Sequence, residues 1–449
     1  MSCPTFKVSV GFPVFGLGFT ADNQLILCGG GGASRSGVKN KLAAYKIDAR
    51  RKDLEEDATF EFAATEDAPM CLSVHPSSPH VVVGVNESEQ DMEQGTNNNC
   101  RTFKILEDKL ELEKAINTLK SNKAKDYQKV VRFNEKGTLV ATGTTDRQVQ
   151  VFKYPEFDSV SQAITVSEDE KEEVLDVDIN LENEKLTCVL ANNLKLINLR
   201  GKNVGQVVQT ISSSTIIIRK NTVKFRAFRY GRGFSKDFGF AVANGFTKPG
   251  AYIAKYDAYS LDQIKVVKVG NKPITAFAIS QDGAVLAFAS ADLSITLLDA
   301  ASFRILTRIK DAHGFSITCI AVSPDRRLIA SASADNTCRI VSLPIQFGNG
   351  LSINPIYTLV LACTVAAILV WILNFVELQP LFRLEDDNNA LEVTDATKTI
   401  VPQMSTSLSS IDDEIASEMP VIQVVSEPII AADDSKTINQ DGNTNRDEL

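Results

Sequence analysis

The chain repeats itself, and that repeat limits its fold more than any other feature. Residues 274–292 read ITAFAISQDGAVLAFASAD, and residues 317–335 read ITCIAVSPDRRLIASASAD, the same grammar 43 residues further on. In each copy an apolar strand ends at a Gln-Asp-Gly or Pro-Asp turn, a second apolar strand follows, and small residues lead through an aspartate to a third strand. A third copy, VVRFNEKGTLVATGTTDRQVQVF, fills residues 130–152, and looser copies start near residues 16, 70, 174 and 225. A unit of three short strands cannot bury its own apolar faces, so the copies must pack on one another.

A period of about 40–45 residues is that of WD-type propeller blades. Seven copies predict an all-β, seven-bladed WD-type β-propeller over residues 1–343. The run Phe6-Lys7-Val8-Ser9-Val10, left over before the first copy, supplies the strand that closes the ring and removes an exposed sheet edge. The Trp-Asp dipeptide itself is absent, since the single tryptophan is Trp371, and His313-Gly314 is the one trace of the usual Gly-His element. Asp146, Asp292 and Asp335, each in a tight turn after small residues, are expected to hydrogen-bond within their blades. The charge run at residues 167–173 reads as a solvated connector. Residues 109–129 fit neither period and read as outer strand plus loop or as a short helix.

Beyond residue 343 the pattern changes. Residues 344–355 form a linker, and residues 356–376 are 21 positions without a charge, with Tyr357 and Trp371 towards the two ends. As a helix such a run reaches ~31 Å, enough for the hydrocarbon core of a bilayer, so one C-terminal transmembrane helix is expected. No secretory signal is expected at the N-terminus, because Met1–Val10 lacks a basic start followed by a long apolar run. The span would then act as its own signal anchor, leaving the propeller cytosolic and the remainder lumenal. Residues 377–449 read as an acidic disordered tail: from position 383 onward it holds 4 basic and 15 acidic residues. The chain ends Arg446-Asp447-Glu448-Leu449, one residue from the K-D-E-L signal read by an endoplasmic reticulum retrieval receptor.

Charge and cysteine usage remove other classes. Residues 1–350 hold 43 Lys+Arg against 40 Asp+Glu, a near-neutral body with no basic face for nucleic acid. Eight cysteines are scattered without C-x-x-C pairs, and with only His75, His80 and His313 a zinc site is hard to build, so the thiols read as small core residues of a reduced compartment. With three histidines, no nucleophilic triad or paired carboxylate set emerges, and no covalent enzyme chemistry is expected.

The candidate working surface is the loop GGGGASRSGVKN at residues 29–40, between the apolar runs Leu25-Ile26-Leu27 and Leu42-Ala43-Ala44-Tyr45-Lys46-Ile47. Four consecutive glycines forfeit backbone entropy on ordering, a cost tolerated where backbone must approach a ligand or partner closely. Gly32 and Gly37 have P-loop spacing, but Val38 stands where that motif needs lysine and no helix follows, so a phosphate cradle is excluded.

Together the propeller, this loop, the single span and the tail resemble the Sec-twelve/PREB family, the endoplasmic reticulum-anchored guanine-nucleotide exchange factors for the Sar-type small GTPase of COPII coats. The likeness covers the whole architecture, and its specific motif is short. It implies that the loop holds a structural potassium ion through Gly29, Gly30, Gly31, Gly32, Ser34 and Ser36. It implies too that Gly37, Val38, Lys39, Asn40 and Lys41 meet the GTPase, with Asn40 at the position critical for exchange. Physically, carbonyl and serine oxygens without a carboxylate suit a monovalent cation, and Asn40, both donor and acceptor, can compete for switch-loop backbone groups. The expected function is GDP release and GTP loading at the endoplasmic reticulum membrane, which starts vesicle coat assembly in transport to the Golgi. About a dozen linker residues span at most ~40 Å, which would keep the loop near the bilayer. The alternative is a passive propeller scaffold that recruits partners to that membrane.

Overall fold

The computed structural model describes residues 3–33, residues 37–345 apart from 217, 219 and 220, residue 347, and the helix Pro355–Asp386, whose side chains are described for 359–374. Contacts divide the chain into two units, residues 1–350 and 351–449.

The first unit is a seven-bladed β-propeller. Blade 1 runs Val14–Phe19, Leu25–Gly29, Lys41–Asp48 and Asp53–Glu61, antiparallel and in chain order from the inner to the outer strand. Blades 2 to 6 repeat this plan, with inner strands Cys71–Val74, Gln128–Phe133, Asp176–Ile179, Val223–Tyr230 and Ile274–Ile279. Blade 3 ends in two short strands, Asp158–Ser159 and Ile164–Thr165, both paired to Gln148–Lys153. The ambiguous stretch after residue 109 resolves as the outer strand of blade 2, Leu110–Ile116. Blade 7 takes Ile317–Val322, Leu328–Ser333 and Thr337–Ser342 from the end of the chain and its outer strand, Thr5–Ser9, from the beginning. Phe6 pairs with Ile340 and Val8 with Cys338, so the ring closes where the leftover strand predicted.

Each sheet is covered on both faces by its neighbours, which is why middle strands read as unbroken apolar runs rather than alternating ones. Leu25–Gly29 and Val285–Ser290 are buried at every position. Between blades 1 and 2, Ile26, Cys28, Leu42 and Ala44 meet Val81, Val83 and Phe103; between blades 7 and 1, Leu25, Leu27 and Ala43 meet Ala330, Ala332 and Ile340. Six of the eight cysteines are buried and all are free, as expected of small apolar core residues.

The turn aspartates hold their blades. Asp146 accepts from the Lys120 and Ser121 amides at 2.8 Å, and Asp292 accepts from the Ser294 hydroxyl at 2.6 Å. Asp335 accepts from the Gly314 amide (2.6 Å) and from Thr337, while His313, 3% exposed, sits 2.8 Å from both the Thr337 and Ser331 hydroxyls.

The helix Pro355–Asp386 contains residues 356–376. Among the described residues no helix is long and apolar enough to cross a membrane. Residues 387–449, with Arg446 to Leu449, lie outside the described residues.

Burial pushes the His313 imidazole down to about 4, with Asp335 opposing that shift. Its ordinary value is 6.5, so between pH 6.5 and 4 the unfolded chain takes up a proton that the folded chain refuses, and stability falls as pH drops through that window. A His313→Asn variant should melt several degrees below wild type at pH 7.5, and the gap should narrow by pH 4.5. Calorimetric midpoints that keep a constant gap across this range would show that the histidine does not act this way.

Candidate functional site

Define the upper face of the propeller as the one where inner strands begin. In blade 1 the chain runs inward strand, Leu25–Gly29, loop, Lys41–Asp48, so the glycine-rich loop emerges on that upper face. Strand Thr337–Ser342 occupies the same place in blade 7 as Lys41–Asp48 in blade 1, and its end, where the chain leaves the ring, lies on the lower face. Loop and exit are therefore on opposite faces, and linker length does not by itself bring the loop towards a bilayer.

The first two glycines are fixed by close approach. A Cβ on Gly29 would lie 1.9 Å from the Pro13 carbonyl oxygen, and one on Gly30, at φ 153°, would lie 2.3 Å from the Asn40 amide oxygen. The Gly30 amide donates to the Pro13 carbonyl at 2.9 Å, which ties the loop to the chain entering blade 1.

Asn40 points inward. It is 3% exposed; its Oδ1 accepts from the Gly32 amide at 2.9 Å, and its Nδ2 donates to the carbonyls of Glu66 (2.9 Å) and Gly32 (3.3 Å). Its own carbonyl accepts from the Phe62 amide at 3.0 Å. The side chain thus clips the outgoing limb to the returning limb and both to the segment leading into blade 2. The expectation that its amide competes directly for switch-loop groups does not match this geometry, since its donors and acceptor are already engaged inside the protein.

Behind the clip lies a layer that the sequence did not announce. Glu66 caps the Ala63 amide at 2.6 Å and meets Arg101 at 2.6 Å, and both side chains are largely buried. Arg101 also donates to the Asn98 carbonyl at 3.1 Å and stacks 5.9 Å from the Phe62 ring. An arginine in the third strand of blade 2, Cys100–Ile105, with no acidic residue close after it, was the available signal; its partner Glu66 is 35 residues away and visible only in the fold.

On the returning limb Gly37 is exposed and Val38 packs against the core between blades 7 and 1. Lys39 and Lys41 both reach Glu61, at 2.7 and 3.5 Å, and the Lys39 hydrogen bond foremost holds the Glu61 carboxyl below its ordinary value. The Lys39–Glu61 pair is exposed and worth little, so a partner's carboxylate can replace Glu61 at small cost. Ser34, Arg35 and Ser36 lie outside the described residues.

Beside the outgoing limb, Gly31, Gly32 and Ala33 wall a cavity of about 300 Å³ together with Asp67, Asn86 and Glu87. A Cβ on Gly32 would lie 3.0 Å from an Asp67 carboxylate oxygen. The loop therefore does not stand free of carboxylates, as its own sequence suggested. Among the described residues no group of three or more His, Cys, Asp or Glu side chains could hold a metal ion.

A family model described as "WD domain, G-beta repeat" matches residues 304–342, the outer strand of blade 6 and most of blade 7. The chain is 26% identical over 425 residues to "Guanine nucleotide-exchange factor SEC12" of Candida glabrata, covering 92% of this chain and 87% of that protein. It is 24% identical over 349 residues to "Putative guanine nucleotide-exchange factor SED4" of the same yeast, covering 75% of this chain but only 32% of that longer protein. Among solved structures, Chaetomium thermophilum Raptor superposes with a TM-score of 0.58 at 12% identity, over 77% of this chain and 29% of Raptor, a likeness of fold alone.

Asn40→Ala leaves the Gly32 amide and the Glu66 carbonyl without partners, a loss of about 1–3 kcal/mol local to the loop base. Amide hydrogen exchange at Gly30 to Gly32 should accelerate by roughly tenfold or more while strand amides in blade 4 keep their protection. Unchanged protection at the loop would mean that the clip does not hold it.

Proposed function

We propose that this chain, a homologue of the SEC12 guanine nucleotide-exchange factors, uses the loop at residues 29–40 to open the nucleotide site of a Sar-type small GTPase. One observation carries the reading: a glycine-rich protrusion is clipped at its base by a buried asparagine, in a chain collinear with such a factor over nine-tenths of its length. Exchange needs no bond to be made or broken. The factor has only to bind the nucleotide-free GTPase better than the loaded one, and by linkage it then weakens nucleotide affinity by the same factor.

A wedge does this well only if it is stiff, because every residue ordered on docking subtracts from the binding energy available for prying. Asn40 supplies that stiffness as a positioning residue, and the exposed Gly37 and Lys39, on either side of the half-buried Val38, offer the contact surface. A potassium ion at the loop is supported by the donor chemistry: the carbonyls of Gly29 to Gly32, with Ser34 and Ser36 beyond them, and Asp67 at the edge of the same cavity. Glu87 and Glu89 line the same cavity, but among the described residues no three such side chains converge as the several carboxylates of a Ca²⁺ site do, and the neutral loop oxygens suit a monovalent ion. The ion would stiffen the loop by holding its carbonyls together.

The apolar run at residues 356–376 supports a single span, and Arg446 to Leu449 support retrieval to the endoplasmic reticulum, with the propeller cytosolic and the tail lumenal. GTP loading on that membrane would begin COPII coat assembly.

Asn40→Ala should slow propeller-stimulated GDP release from a Sar-type GTPase by at least tenfold while the thermal midpoint moves by only a few degrees. Undiminished stimulated release, with the loop amides exchanging faster, would make the asparagine merely structural, and no stimulation by the wild-type chain would favour the scaffold reading. Replacing KCl by LiCl at constant ionic strength should lower stimulated release severalfold and deprotect Gly30 to Gly32; identical rates in both salts would dismiss the ion.

A further inference from the structure

The inner strands enclose a central channel whose upper part forms a cavity of about 560 Å³ opening on the glycine-loop face. In five blades the inner strand carries a register shift near its start, leaving one extra residue between paired neighbours: Phe15, Lys129, Arg226, Thr275 and Thr318. Bulges re-aim side chains, and all five of these line the cavity. The bulges therefore present a ring of side chains at its mouth.

That ring is lopsided. Lys129, Arg132, Arg226 and Arg229 line the cavity from blades 3 and 5, and Asp176 is the one carboxylate on its lining. Arg229 is committed to Asp176, with both side chains buried, and Lys129 pairs with Glu173. Arg132 reaches Asp176 at only 3.5 Å, and its Nε is buried without a hydrogen-bond partner. Arg226 forms no hydrogen bond or ion pair among the described residues. Burial pushes the Asp176 carboxyl up to about 6, while the Arg132 and Arg226 charges pull it down, so one carboxylate is shared among three guanidinium groups. Two guanidinium groups thus face a cavity with donors unspent, and such groups are costly to desolvate unless an anion meets them. Across from them the wall is apolar, with Leu17, Ile274, Phe277 and Ile320.

We propose that the channel mouth binds a small organic phosphate, its phosphate groups on Arg226 and Arg132 and its carbon skeleton against the wall formed by Leu17, Phe277 and Ile320. Guanidinium forks match phosphate geometry, and the volume lies in the range of ordinary ligand pockets. The site is separate from the loop clip and stands whether or not the chain exchanges nucleotide.

Calorimetric titration of the full-length chain in detergent with phenyl phosphate, and separately with inorganic phosphate, tests this. Saturable binding of the organic phosphate at one site per chain is expected, with Arg226→Ser weakening it at least tenfold and Arg226→Lys less. Because Arg226 makes no hydrogen bond or ion pair among the described residues and acts on Asp176 only through its charge, the serine variant should melt within a few degrees of wild type. No saturable heat, or equal affinity in Arg226→Ser, overturns the site. Inorganic phosphate binding as tightly as the organic one would remove the role given to the apolar wall.

Discussion

Every blade of this protein depends on its two neighbours, because a four-stranded sheet that is apolar on both faces has no stable existence in water. Closure is therefore the governing constraint, and it rests on one antiparallel pairing between the two ends of the first unit, Thr5–Ser9 with Thr337–Ser342. The same seam carries a full interblade core: Leu25, Leu27 and Ala43 from blade 1 against Ala330, Ala332 and Ile340 from blade 7. A ring closed this way spreads its stability around the circle, since any opened interface exposes two apolar faces at once. What it returns is rigidity at the rims, where loops are anchored at both ends to buried strands.

That rigidity explains where the candidate site lies. The glycine loop leaves a strand buried at all five positions, Leu25–Gly29, and re-enters one whose residues 42–45 are buried. It is also the blade next to the seam, so Val38 packs on the closure core itself. A wedge mounted there cannot relax by moving its base. The Glu66–Arg101 pair extends the same mounting into blade 2, so the loop is braced by the interface of two blades rather than by one hairpin.

Much of the fold was legible because it is periodic. The 43-residue spacing, the Asp turns and the spare strand at residues 6–10 each specify local structure, and a repeat forces the copies to pack alike. The site was legible only in part. Glycines that need close approach stand out in any sequence, whereas Asn40 drew attention only through the family resemblance; its inward direction was not legible, because a donor and acceptor on a loop residue do not show which way the side chain turns. Glu66, Asp67 and Arg101 come from another turn and another blade, so no local pattern could assemble them. The five bulges were hidden for a related reason: a one-residue slip in pairing changes which face a side chain meets without changing composition.

The buried asparagine and the proposed ion divide one task. Ordering four glycines costs roughly 4–8 kcal/mol in backbone entropy. Three hydrogen bonds made by the Asn40 side chain, two donated and one accepted, and one from Gly30 to Pro13, at about 1 kcal/mol each, offset only the low end of that range. All four act at Gly30, Gly32 and the strand end, so they stiffen the base of the protrusion. Whatever stiffens the rest must act on carbonyl oxygens, since the amides at the base are already used and glycine offers no side chain. A cation is the simplest species that gathers carbonyls, and the Asp67 carboxylate beside Gly32 lowers its potential where it would enter. Base clip and proposed ion would then be separable contributions, and loss of either would leave the propeller folded with a softer loop.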